Sequence, residues 1–326
     1  YKIIKIENVF LKRMIVLNFT VKIISTHKEE KMKRIFRKAI VYFTVLAVLI
    51  SNVSISSVKA MEKSDEGIIV YASDYGLDST GEKDNAKALV NMFEAIREIG
   101  ENGDKVTLKF DKGIYQIHKE NAPVREVHTS NTDSVRFPNK SIGILIENQN
   151  NLTIDGNGSQ FIINGDMMAL AIMHSENITV KNVNIDYQIP TTSEMTVLDY
   201  DNENKTIDYF IPEYLNYEIQ GANIIWKSEQ KSDGGYYWTE KNDHRNYGIS
   251  VKYPTELMGR SYYSNSNPFT NAQSIEQLDD SRVRIKYSSN PAFEVVKGMN
   301  FQLVSNAERP TAGAFVWESK DIRSEE

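Results

Sequence analysis

The chain has 326 residues, 40% hydrophobic and 25% charged, which is ample for a buried core in one large or two ordinary domains and excludes disorder over most of its length. It has no cysteine, so disulfides, thiolate zinc, a cysteine nucleophile and a lipid-anchoring cysteine are excluded as well. The net charge of -6 divides unevenly: residues 1–60 carry 12 Lys and Arg against 3 Asp and Glu, leaving 26 against 41 in residues 61–326. Such an acidic body repels phosphate backbones and anionic lipid, so a neutral or cationic ligand fits it better than nucleic acid.

Residue 1 is Tyr, and Met32 stands just before a basic segment, so residues 1–31 read as upstream frame carried through into protein. Lys33, Arg34, Arg37 and Lys38 precede the apolar run Ala39–Ile50, and Val58-Lys59-Ala60 offers small residues at the cleavage-setting positions. Residues 32–60 thus read as the signal peptide of a secreted or extracytoplasmic bacterial protein, cleaved after Ala60. The apolar run falls well short of the ~20 residues that span a bilayer as a helix, so no permanent membrane anchor is expected.

In the mature chain Ile68–Ala72 reads as a strand and the Asp/Gly/Ser-rich segment Ser73–Asp84 as a loop. Ala86, Leu89, Phe93 and Ile96 form one apolar stripe at helical spacing, with Asp84 as N-cap and Gly100 as the stop. A strand at Lys105–Phe110 follows, then a glycine turn at Asp111-Lys112-Gly113 and a strand from Ile114.

A repeat begins here. Leu145–Leu152 (LIENQNNL) matches Ala171–Ile178 (AIMHSENI) at an offset of 26 residues, and Phe315–Ile322 (FVWESKDI) matches the second copy 144 residues later. Short strands repeating at this period, with ten asparagines between Asn131 and Asp186, predict a solenoid of stacked coils whose turn amides bond to one another and accept left-handed backbone. Between the copies, strands at Thr206–Ile211, Ile249–Tyr253, Arg282–Tyr287 and Phe301–Val304 alternate, with turns at Asn202 and Asp279. The predicted organisation is a cap and first coils at 61–190, an all-β insertion at 191–313, sandwich or small barrel, and a resumed coil at 314–326.

The order of strand, loop, amphipathic helix, VTLKF, D-x-G-x-Y, NLTIDGNGS at Asn151–Ser159 and SENITVKNVNID at Ser175–Asp186 resembles the pectate-lyase-like right-handed parallel β-helix superfamily. Thr129-Ser130-Asn131-Thr132-Asp133, Asn164-Gly165-Asp166-Met167 and the insertion after Asp186 resemble the N-terminal portion of glycoside hydrolase family 110, the α-1,3-galactosidases. The resemblance implies an all-β fold, a right-handed β-helix with an N-terminal capping helix, and a secreted, exo-acting, inverting enzyme that removes terminal galactose from glycans without a cofactor or metal. Where the family tends to show His-Gly, this chain has Asn164-Gly165. The family's catalytic carboxylates, including an adjacent Asp-Asp pair, follow the insertion on coils expected beyond Glu326. The one such pair here, Asp279-Asp280, falls at a predicted hairpin turn.

Inverting cleavage needs one carboxylic acid and one carboxylate ~6.5–9.5 Å apart, and coils stacked at ~4.8 Å supply such separations from neighbouring rungs. Candidate substrate-binding residues are Asn131 and Asp133 on a loop ahead of the coils, Asp186 before the insertion, and Glu318 and His174, which share one repeat position. Asp155, before Gly156, reads as a turn former. Tyr236-Tyr237-Trp238 reads as an aromatic run in a strand, pointing alternately to sugar and core. The histidines His118, His128 and His244 show no metal-ligand spacing. The competing readings are a non-catalytic β-helix adhesin or carbohydrate-binding protein, and a lyase or epimerase acting on acidic polysaccharide. The latter requires clustered basic residues or calcium.

Overall fold

The computed structural model describes residues 62–325 except 65–66, 102, 129–136, 243–244, 252–261, 264–266, 292–293 and 306–312. The expectations for residues 1–31 and 32–60, and the candidates Asn131, Asp133 and His244, lie outside the described residues. What is described is mostly β-structure, in parallel and antiparallel sheets, with one α-helix.

That helix, α1 (Ala86–Glu101), buries Ala86, Leu89, Phe93 and Ile96, the predicted stripe, against the strands beside it. Its ends differ from expectation. Asn85 occupies the position before the helix, and its amide side chain ties Asp78, Lys83 and Gln116 together. Asp84 stands one residue further out and accepts from the N–H groups of both Ala86 and His118 at 2.9 Å. Gly100 lies inside the last turn, where an added Cβ would sit 2.3 Å from the Asn150 carbonyl oxygen. The left-handed glycine beyond the end is Gly103, φ +84, whose N–H donates to the Gly100 oxygen. The Ser73–Asp84 segment, expected as a loop, holds a short helical turn to Tyr75 and a strand at Thr80–Asp84, because Thr80 and Asp84 pair with Ile114 and Gln116.

Two parallel sheets carry the repeat. The chain runs from Asn139–Glu147 in one to Asn150–Asn164 in the other, back to Met168–Met173, and on to Glu176–Tyr187. Leu145 pairs with Ala171 and Leu152 with Ile178, the predicted 26-residue offset. After the intervening antiparallel structure, Ala314–Trp317 joins the first of these sheets and Lys320–Glu325 the second, with Phe315 beside Ala171 and Ile322 beside Ile178. The rungs therefore resume in register at Phe315. Alternation along each strand sends Ile144, Ile146 and Ile172 into the main core with Leu108, Ile154 and the α1 stripe. On the opposite face, Leu145, Ala171, Met173 and Val127 form a second cluster on which Phe315 packs.

The D-x-G-x-Y motif acts as a joint between rungs. Tyr115 stacks on Phe161 at 5.0 Å, and its hydroxyl donates to the Asp111 carbonyl at 2.8 Å. Ser159 Oγ accepts from the Gly113 N–H and donates to the same carbonyl. At Gly113 an added Cβ would meet the Ser79 oxygen at 2.1 Å, so this close approach demands glycine.

Between the rungs lie a seven-stranded and a three-stranded antiparallel sheet that share one core, with Trp226, Tyr209, Phe301 and Ile285 fully buried. Within that core Tyr209 and Tyr287 hydroxyls sit 2.9 Å apart, and Tyr287 donates to the Pro268 carbonyl. The expected strands at Thr206, Arg282 and Phe301 are present, and Asp279-Asp280 forms the expected hairpin turn, with Asp279 paired to Arg282.

Candidate functional site

Each passage between the parallel sheets turns a corner, and equivalent residues stack there. The first corner position is held by Asn148, His174 and Glu318, all left-handed, at φ 54, 49 and 45. At the second, the Gln149 N–H donates to Ser175 Oγ at 3.1 Å and the Ser175 N–H to Ser319 Oγ at 3.0 Å. The fourth holds Asn151, Asn177 and Asp321, again left-handed, and Asn177 Nδ2 donates to Asn151 Oδ1 at 2.8 Å. Amide stacking of the kind expected from the asparagine content is thus present. Asn is a usual occupant of left-handed backbone, whereas His and Glu adopt it at a cost, and these two occur side by side.

His174 Nδ1 lies 3.1 Å from Glu318 Oε2, with side chains 42% and 64% exposed. One residue before each corner stand Glu147, Met173 and Trp317, on the face away from the main core. Arg125 grips Glu147 with Nε at 3.0 and 3.1 Å and Nη2 at 2.7 Å. Those Arg125 hydrogen bonds, helped by the charges of Arg125 and His174, hold the Glu147 carboxyl below its usual range against partial burial. Trp317 is 41% exposed, and its ring lies 5.9 Å from that of Phe315, nearly parallel at 13°. The Glu318 carboxylate, held at one oxygen by an imidazole, keeps its other oxygen able to accept a hydrogen bond, at a corner between the edge strands Ala314–Trp317 and Lys320–Glu325.

The structure brings two of the five candidates together, His174 and Glu318. Asp186 lies elsewhere, exposed near the opposite end of the Glu176–Tyr187 strand, its carboxylate accepting from the Tyr187 N–H. Asp155, expected as a turn former, lies instead inside the Asn150–Asn164 strand, paired with Lys109 on one side and Lys181 on the other; burial raises its pKa, but hydrogen bonds from Asn182 and the Asn157 N–H and the charge of Lys181 bring it below the usual value. Arg125, Glu147 and Trp317 were not singled out from the sequence. The signal for the last two was their place just before the corner in each copy of the repeat.

A second polar cluster explains residues that the sequence left open. Tyr236-Tyr237-Trp238 does not form a strand as expected: Tyr236 makes an isolated bridge to Gln230, the N–H groups of Tyr237 and Trp238 both donate to Ser228 Oγ, and all three side chains are half-buried. Trp238 packs on the core of the antiparallel sheets. The Tyr237 hydroxyl reaches Glu120 and His118 at 3.2 Å, and Ser232 donates to Glu120 at 2.9 Å. The ring presses on Gly165, φ +103, where a Cβ would lie 3.1 Å from it and 2.8 Å from Lys119 Cβ. Asn164 beside it donates to Gln116 at 2.7 Å, and Lys119 pairs with Asp166 at 2.6 Å. Burial pushes the neighbouring Glu229 carboxyl up. Asn164-Gly165-Asp166 is therefore where the antiparallel structure is clamped to the rungs.

These rungs of parallel strands, interrupted by antiparallel sheets, are those of a homologue of glycoside hydrolases. The chain is a distant homologue of the α-1,3-galactosidases A and B of glycoside hydrolase family 110. It is 29% identical over 262 residues to an α-1,3-galactosidase A of Streptomyces avermitilis, covering 78% of this chain and 40% of the relative. An α-1,3-galactosidase A of Bacteroides thetaiotaomicron is 31% identical over 248 residues, 73% of this chain and 39% of the relative. With an α-1,3-galactosidase B of Phocaeicola vulgatus the identity is 31% over 177 residues, 54% and 29% of the two chains. The chain thus spans two fifths or less of the length of these relatives. No protein-family model matches it.

Proposed function

We propose that the chain is the N-terminal part of a secreted, exo-acting, inverting α-1,3-galactosidase, its two parallel sheets being successive coils of a right-handed β-helix capped by α1. Residues 61–190 form the cap and first coils, 191–313 an inserted domain, and 314–326 the resumed helix. Residues 32–60 direct export. The catalytic carboxylates lie on coils encoded past Glu326, and the portion described here supplies substrate contacts. The observation that carries this reading is the match to curated α-1,3-galactosidases, which extends over 78% of the chain. It is supported by rungs that resume in register after the antiparallel sheets, since such a stack can continue.

The test is release of galactose from a terminal α-1,3-linked galactoside by protein expressed from the full reading frame, followed by proton NMR. We expect galactose to appear first as the β-anomer, as inversion requires. Absence of release from that substrate, or first appearance of the α-anomer, overturns the reading.

A further inference from the structure

Glu229 follows the Asn223–Lys227 strand of the antiparallel structure. Ser228 beside it accepts from the Tyr237 and Trp238 N–H groups through Oγ and donates to the Glu229 carbonyl at 2.8 Å. The Glu229 carboxyl lies by the Gly165 N–H and the Asp166 carboxylate, which belong to the rungs. Both of its oxygens are shut off from solvent, and neither has a hydrogen-bond partner among the described residues. Lys119, the cation on the rung side, is bound to Asp166 at 2.6 Å. From the antiparallel side the group faces Tyr237, whose hydroxyl is shared with Glu120 and His118 and which also feels the charge of Asp84. An ionised Glu229 thus meets further negative charge at this junction and no uncommitted cation among the described residues.

We infer that Glu229 is a latch whose protonation state sets how firmly the antiparallel structure is held to the rungs: the closed junction accommodates the neutral carboxyl, and the carboxylate requires the junction to open to water. Burial, with the charge of Asp166 adding to it, holds this carboxyl above the usual glutamate range, and the nearby N–H groups of Glu229 and Gly165 oppose that only in part. A group raised in the closed state favours closure fully below its open-state value, and the contribution is lost as pH rises through the closed-state value. Glu147 has the opposite sign, its contribution being lost in acid, so the two act in separate pH ranges.

The experiment is amide hydrogen exchange read by mass spectrometry on the protein expressed from the full reading frame, between about pH 5 and about pH 8, corrected for the intrinsic effect of pH. Peptides spanning 162–168 and 226–238 report the junction, and one spanning 142–146 reports the rungs. We expect protection of the junction peptides to fall as pH rises, by at most about tenfold per pH unit, the limit for one linked proton, while the rung peptide keeps its protection. Glu229→Gln, neutral and of the same shape, should flatten that response. Asp166→Asn removes the adjacent like charge and frees Lys119, both of which favour the carboxylate, so the fall should be smaller and level off at lower pH.

Junction protection that does not change with pH in the parent overturns the latch. So does a fall that survives Glu229→Gln, which would belong to another group at the junction such as His118. Should Glu229→Gln fail to fold, an Asp166→Asn profile identical to the parent's overturns it instead.

Discussion

His174 and Glu318 are separated by 144 residues in the chain and by 3.1 Å between Nδ1 and Oε2. Both occupy left-handed backbone, for which asparagine or glycine is the usual choice, and Asn148 holds the same corner one rung earlier. Glu318→Asn should stabilise the fold by about 0.5–1 kcal/mol, because the backbone strain is relieved. Urea unfolding checks this. A variant that loses stability contradicts the argument.

Glu147 gives a pH signature. Its folded-state pKa lies below the usual value because Arg125 hydrogen-bonds the ionised form, so its stabilising contribution is present above the unfolded-state value and is lost as pH falls through the folded one. The melting temperature of the parent should therefore drop more steeply than that of Glu147→Gln as pH falls below about 4.3, the unperturbed value for Glu. Parallel melting curves for the two proteins across that acid range would refute it.

Ser175 is buried, accepts from the Gln149 N–H and donates to the Met173 carbonyl at 2.7 Å. Ser175→Ala leaves that N–H without its acceptor inside the stack, with an expected loss of about 1–3 kcal/mol. Chemical denaturation measures it, and a loss below about 0.5 kcal/mol, the range of ordinary surface changes, would show that the corner ladder contributes little.

Gly113→Ala should cost about 1–3 kcal/mol or more, since the new methyl meets a backbone oxygen at 2.1 Å and neither chain can yield without moving a rung. Gly158→Ala is the control: its surroundings are open, though its φ of +72 adds strain. Thermal melts should rank Gly113→Ala as the more damaging, and the reverse order would contradict the close-approach account.

Residues 61–326 produced alone should self-associate. Ala314–Trp317 and Lys320–Glu325 are edge strands of the two parallel sheets, and Val316 is 51% exposed. Light scattering during size-exclusion chromatography reads this directly, with a monodisperse monomer as the contrary result.

The rungs were legible from the sequence because equivalent residues recur at fixed offsets: Leu145, Ala171 and Phe315, or Leu152, Ile178 and Ile322, declare which side chains stack without reference to anything distant. The α1 stripe was legible for the same reason, its apolar positions following the period of the helix. Pattern also marked the one corner position shared by His174 and Glu318. What pattern could not supply was the approach of segments lacking a common period. Arg125 reaches Glu147 from the short strand Val124–Glu126 ahead of the repeat, and Tyr237 reaches Glu120 and His118 from the antiparallel structure. Gly100 is a glycine because Asn150 passes close by, not because a helix stops there. Local periodicity is written in the order of residues, whereas side-chain meetings across unrelated segments depend on how sheets of different origin come to lie against one another, and that only the tertiary structure decided.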